Sequence, residues 1–414
     1  MLIARDAEVE GLASGFRTPI ALVVVSFVLV MIDGYDMFIV SFLAPLITAD
    51  LNLTPVSVGQ VFAAGLAGSM VGGLVLGPVA DRIGRRPTLI VSLALAATAT
   101  VMCATVTTFG EFAALRFIAG LGLGGVLAAV IPLMAEHVPA ERRDATVTLM
   151  FIGYPFGAVV GGAITAMLLG QGWRNLFVAT GLITFLLIIA AWWLPEPTKE
   201  SSSAAARRAD KPSVLASIKG LFAEGRAGAT LAMATGVFCM LLVTYLLNSW
   251  TPMIAVRSGF EPHIAALCGV FLNLGGIIGA LLSTVLVRRF GLFRLVAVMI
   301  AIGAFAIAAI GQLYGSVVML LCGLFVAGAF AIGGQQNTPA MAVQLYPQRM
   351  RAAGSGWQFA VGRLGSILGP IVGGHLVAAG IAPRAMFIAV AIPTLVAAVA
   401  YAAAGLMRPE QQVK

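Results

Sequence analysis

The chain has 414 residues, of which 60% are hydrophobic and only 10% charged, with 48 glycines. Soluble domains carry about 25% charged residues, so this sequence cannot cover a water-facing surface, and soluble enzymes, nucleic-acid modules and secreted scaffolds are excluded. The formal net charge of +8 would point to an acidic partner only if the basic residues clustered on one soluble face, and they are spread along the chain instead.

Residues 1–19 hold Arg5, Asp6, Glu8, Glu10 and Arg17, and the apolar run after them is too long for a signal-peptide core, so no cleavable leader is expected. Runs of the length a bilayer-crossing helix needs, about 20 apolar residues, are predicted at 20–46, 57–80, 88–108, 112–134, 145–169 and 175–194, then at 229–255, 264–287, 292–313, 316–343, 352–379 and 385–407. That makes twelve. The polar stretch 195–228 separates the two sets. With Glu200-Ser201-Ser202-Ser203, then Arg207, Arg208, Asp210 and Lys211, it reads as a linker. The predicted organisation is a six-helix bundle (1–194), a cytoplasmic linker (195–228) and a second six-helix bundle (229–414). Cys103, Cys239, Cys268 and Cys322 sit singly in apolar runs, which suits packing and gives no metal-ligand spacing. No metal or cofactor is expected.

Of the 25 Lys and Arg, twenty fall in the termini, the linker and the loops on the N-terminal side of this topology. Only Arg174, Arg257 and Arg384 lie in the opposite loops, and Arg116 and Arg363 lie within helices. Basic residues stay on the cytoplasmic face, so both termini are expected there, and topology accounts for the net charge. The halves also repeat. A shift of 207 residues superimposes Pro45 on Pro252, Asp81 on Arg288 and Gly84 on Gly291. A shift of 208 superimposes Pro139 on Pro347, Arg143 on Arg351, Phe151 on Phe359, Gly157 on Gly365 and Gly161 on Gly369. Two parallel six-helix repeats are the sequence mark of a transporter whose site lies between them.

The loop after the second helix reads Gly77-Pro78-Val79-Ala80-Asp81-Arg82-Ile83-Gly84-Arg85-Arg86-Pro87. Gly77 is expected to end the helix, Gly84 to permit the turn, and Asp81 to pair with the arginines as a conformational latch. The second half offers only Arg288-Arg289-Phe290-Gly291, without the acid. At membrane depth, where ionisable groups are rare and functional, the chain places Asp33, Asp36, Arg116 and Arg363. A spacing of three sets Asp33 and Asp36 on one helix face, and Gly34 between them admits a close neighbour. Arg363 is expected near mid-membrane and Arg116 nearer the outside. A titratable acid from one half and an arginine fork from the other suit proton-coupled movement of an organic anion. A purely structural ion-pair network is the competing reading. His375 reads as a polar helix-end residue.

The second loop resembles the signature of the major facilitator superfamily, and further stretches resemble its aromatic acid:proton symporter branch. They are Asp33-Gly34-Tyr35-Asp36, then Arg116-Phe117 through Gly120-Leu121-Gly122-Leu123-Gly124-Gly125, and Glu136-His137-Val138-Pro139 with Arg142-Arg143. Gly153-Tyr154-Pro155-Phe156-Gly157 follows, and Gly362-Arg363-Leu364-Gly365-Ser366-Ile367-Leu368-Gly369-Pro370 lies in the eleventh helix. The resemblance implies an all-α integral membrane protein of twelve helices in two pseudo-symmetric bundles. It implies uptake of a small aromatic carboxylate, such as a benzoate derivative, with protons across a bacterial inner membrane; with both halves in one chain, a monomer is expected to suffice. It also implies that Asp33, Asp36, Asp81, Arg116, Glu136 and Arg363 serve transport, with Arg82, Arg85, Arg86 and Arg142 completing the latch.

Arg363 and Arg116 are candidates for binding the charged solute, and Tyr35, Tyr154, Tyr245, Asn248 and Trp250 are candidate lining groups, with packing roles as the alternative. Gln335-Gln336-Asn337-Thr338-Pro339 in the tenth helix are candidates for reading ring hydroxyls. The competing functions are a symporter for a sugar or another organic acid, and a drug:proton antiporter. For the antiporter, Arg363 would repel cationic cargo, and the Gly-Pro run falls in the eleventh helix rather than the fifth.

Overall fold

The computed structural model describes residues 20–138, 140–194, 219–223, 225–313 and 315–408. Twelve helices among them are long and apolar enough to cross a membrane, one on each predicted run. The first six are α1 (Ile20–Asp50), α2 (Pro55–Ile83), α3 (Arg85–Met102), α4 (Phe109–His137), α5 (Ala140–Leu168) and α6 (Trp173–Trp192). The second six are α7 (Ala227–Arg257), α8 (Pro262–Phe290), α9 (Leu292–Ile310), α10 (Val317–Leu345), α11 (Arg351–Ala378) and α12 (Pro383–Leu406). The linker residues 195–218 lie outside the described residues.

The repeat extends to the helix boundaries. Helices α1 and α7 are both 31 residues long, and α2 and α8 are both 29. Pro55 and Pro262 open α2 and α8 at the position where a missing N–H costs nothing. Gly84 (φ 104°) and Gly291 (φ 76°) close them in backbone geometry that a side chain resists. Thr54 caps α2 by accepting from the Ser57 N–H, and a reciprocal Thr108–Glu111 pair caps α4.

Gly77 does not end α2 as expected. The helix continues through Gly77 and Pro78 to Ile83. Proline is tolerated inside a membrane helix because neighbouring groups satisfy the freed backbone, and a side-chain methyl at Gly77 would meet Ala128 of α4 only at an ordinary van der Waals distance of 3.8 Å. The turn is Gly84's alone. Helix α10 is interrupted, running as an α-helix to Ala327, a π-turn over Gly328–Ile332 and a last segment from Thr338. Such wide turns are rare and concentrate at functional positions.

In the N-terminal half α2 packs on α4, α1 on α5, and α3 on α4 and α6; in the C-terminal half α7 packs on α11, α9 on α12, and α8 on α10. The halves meet mainly through α2–α11, α5–α8 and α1–α7. The Ser41 hydroxyl of α1 donates to the carbonyls of Asn248 and Ser249 in α7. Trp250 Nε1 donates to the Pro370 carbonyl at 2.9 Å while its ring meets Phe62 of α2 edge-on. These contacts belong to the end that carries the α1–α2 and α7–α8 turns.

The backbones of α1 and α5 touch at Gly34, where an added Cβ would sit 2.1 Å from the Tyr154 carbonyl oxygen. Gly34→Ala should therefore cost about 1–3 kcal/mol of stability through overpacking, read as a lower unfolding temperature in detergent. Gly356→Ala is the control, since nothing lies within 4 Å of its added methyl.

Candidate substrate and proton site

Helix α1 carries both acids at its centre, and packing gives them different surroundings. Asp36 is 2% exposed and saturated with donors. Arg116 Nη2 of α4 reaches its Oδ2 at 2.9 Å and its backbone carbonyl at 2.8 Å, and the Thr100 hydroxyl of α3 donates to Oδ1 at 3.0 Å. Asp33 is equally buried, at 1%, yet its Oδ1 has no hydrogen-bond partner. The charges that act on it are Asp36 on its own helix and Arg363 of α11 in the other half.

Arg363 is half-buried, with its guanidinium over the exposed Phe359 ring, 4.9 Å from the centroid. Among the described residues no carboxylate lies within ion-pair distance of it. Near this acid and cation lies Tyr154, one of three aromatic rings in mutual contact. Tyr154 of α5 and Tyr245 of α7 join their hydroxyls across the two halves at 3.1 Å. Phe38 packs against both, with centroids 5.8 and 5.9 Å away. Tyr154 also feels the charges of Asp33 and Arg363. A buried carboxyl, an arginine with no carboxylate at ion-pair distance among the described residues, and a set of aromatic faces thus meet where the bundles join. Beside Tyr245, Thr244 donates to Gln335 Oε1 of α10 at 2.7 Å.

Other predicted lining residues are turned elsewhere. Arg116, expected to face a solute, is consumed by Asp36 and is 2% exposed. Tyr35 bonds Thr165 of α5 at 3.0 Å inside the N-terminal bundle, because successive residues of a helix point about 100° apart. Asn248 bonds the Thr244 carbonyl and Asn273 of α8. Asn337 bonds Ser283 of α8 and the Gly333 and Gly334 carbonyls that the break in α10 frees. Gln336 is exposed at that break. Trp250 belongs to the closed end.

Phe38 and Thr100 escaped the sequence reading. Phe38 resembles any apolar core residue. Thr100 had a signal, since Thr88, Ser92 and Thr100 recur at multiples of four and make a buried polar stripe along α3.

At the α2–α3 loop, Asp81 lies 3.6 Å from Arg85, whose side chain is 10% exposed. Arg86 sits over the Trp192 ring at the end of α6, 5.1 Å from its centroid, and Arg82 is exposed. The side chains of Glu136 and Arg142 lie outside the described residues.

Residues 26–336 match the sequence profile of the Major Facilitator Superfamily. A gallate transporter of Pseudomonas putida is 30% identical over 413 residues, covering 94% of this chain and 92% of that protein. A 3-(3-hydroxy-phenyl)propionate transporter of Escherichia coli is 33% identical, covering 90% of this chain and 91% of its own. The chain belongs to the major facilitator superfamily, in its aromatic acid:proton symporter family. The crystal structure of a D-xylose–proton symporter shares the fold, with a TM-score of 0.74 at 17% identity over 92% of this chain and 97% of that one. Members of the superfamily are transporters rather than enzymes, and the twelve spans make this one a multi-pass membrane protein.

Proposed function

We propose that this transporter carries a small aromatic carboxylate, with a proton, across the inner membrane of a bacterium by alternating access. The observation that carries the reading is Arg363, with no carboxylate at ion-pair distance among the described residues, acting on Asp33, whose Oδ1 has no partner, and on Tyr154 of the Phe38–Tyr154–Tyr245 ring cluster. The guanidinium fork matches a carboxylate. The aromatic faces suit a flat ring, preferring edge or offset contacts worth about 0.5–1.5 kcal/mol per pair. The Tyr154 and Tyr245 hydroxyls and the Gln335 side chain offer partners for ring hydroxyls. Relatives named for gallate and for a hydroxyphenyl acid fit the same class.

Positive charge sets the orientation: both termini and the α2–α3 loop face the cytoplasm. The joined end is then the outer one, and the chain is poised toward the cell interior. In the outward state Asp33 takes a proton and Arg363 takes the substrate carboxylate. After the bundles rock, the carboxylate leaves, Asp33 releases its proton inward, and the empty site returns. The two halves lie in one chain, and a monomer suffices.

The test is uptake of radiolabelled 4-hydroxybenzoate into proteoliposomes with an imposed acid-outside gradient. Accumulation that stops when the gradient is collapsed is expected. Uptake indifferent to it would refute the proton coupling, and no uptake of any aromatic carboxylate would refute the substrate class.

A further inference from the structure

We infer that the two aspartates of α1 divide the work, and that Asp36 is a positioning residue which never exchanges a proton during transport. The inference rests on the transport reading above and deepens it. Asp36 spends both carboxylate oxygens on fixed donors, Thr100 of α3 and Arg116 of α4, and Arg116 returns to the Asp36 carbonyl as well. All three side chains are buried inside one bundle, and each is 2% exposed or less. The remaining titratable neighbours are the Cys103 thiol beside Arg116 and the Tyr35 hydroxyl, which is bonded to Thr165.

This assembly ties α1 to α3 and α4, three helices of the same half, so a rocking motion between halves leaves it intact. Protonating Asp36 would strand the Arg116 charge in the interior. That charge already has one buried nitrogen, Nη1, without a partner. Asp33 has the opposite character. Its charged neighbours are Asp36 and Arg363, and Tyr154 faces it from α5. Arg363 belongs to the other half, so the surroundings of Asp33 change as the halves move. Asp36 with Arg116 is therefore the brace that fixes where α1 holds Asp33, and Asp33 alone exchanges the proton.

Neutralising both members of the brace tests this. In proteoliposomes, Asp36→Asn is expected to lose 4-hydroxybenzoate accumulation, because Arg116 is left as an unpaired buried cation. Asp36→Asn combined with Arg116→Gln is expected to recover accumulation, with the wild-type dependence of binding on pH. A recovered double variant whose binding no longer responds to pH would overturn the proposal, as would a folded double variant that binds but does not accumulate.

If the double variant fails to fold, Asp33→Asn decides, since it changes a carboxyl whose Oδ1 holds no partner. Proton uptake on 4-hydroxybenzoate binding, read with an indicator dye in weakly buffered detergent, is expected to vanish in Asp33→Asn. Its persistence would make Asp36 the carrier and overturn the proposal. Wild-type protein that neither binds nor accumulates aromatic acids would instead count against the transport reading.

Discussion

Asp33→Asn is expected to bind aromatic carboxylates equally well from mildly acidic to mildly alkaline solution, and to accumulate none of them. In the proposed cycle an ionised Asp33 competes with the substrate carboxylate for the field of Arg363, so the wild type binds its anion well only after Asp33 has taken a proton. Binding should strengthen as pH falls, by up to about tenfold per unit for one linked proton. It should level off once Asp33 is fully protonated. Asparagine mimics the protonated form at every pH, so its affinity should stay at the acidic plateau. The variant still rocks between states and exchanges internal for external substrate, but a gradient no longer drives it. Equilibrium binding by scintillation proximity at several pH values, beside counterflow and gradient-driven uptake, separates these properties. A persisting slope would place the proton on another group.

Arg363→Gln is expected to be the most damaging single change for affinity. Losing a charge-assisted contact to a buried partner costs about 2–5 kcal/mol, so binding should weaken by at least about thirtyfold. Arg363→Lys keeps the charge and loses the two-pronged geometry, and a penalty near tenfold, or about 1.4 kcal/mol, is expected. The informative control is the neutral amide of the same ring, 4-hydroxybenzamide. It should bind the wild type weakly, with an affinity the two substitutions scarcely change, because it offers no charge for Arg363 to meet. If acid and amide weaken in parallel across the series, the arginine supports the fold of α11 rather than the carboxylate.

The architecture was readable because lipid imposes it. Each of the twelve spans is an apolar run with few alternatives, and the repeat at 207 residues survives as paired helix ends such as Pro55 and Pro262. Their places along the helices were readable too, since Asp33 and Asp36 fall near the middle of α1 and Arg363 near the middle of α11, against an apolar background. What sequence spacing does not contain is the partner that a side chain finds on another helix. Asp33 and Asp36 are three apart, yet only the packing of α3 and α4 on α1 decides that Asp36 meets Thr100 and Arg116. Tyr35 carries the same chemistry as Tyr154 but turns toward Thr165. Asn337, in a cluster of polar residues that suggests recognition, is occupied in mending its own broken helix. Gly77 misled for a related reason: a Gly-Pro pair that would end a helix in water is carried through here, because backbone groups in lipid must stay satisfied within the helix and its neighbours.

That no carboxylate among the described residues lies at ion-pair distance from Arg363 also bears on which force drives the cycle. In the proposed mechanism the empty site crosses with Arg363 positive and Asp33 negative, and the loaded site crosses with Arg363 balanced by the substrate and Asp33 neutral. Either way no net charge moves through the bilayer, so one anion and one proton cross together electroneutrally. The membrane voltage then has nothing to pull on, and the pH difference alone sets how far the acid is concentrated inside the cell.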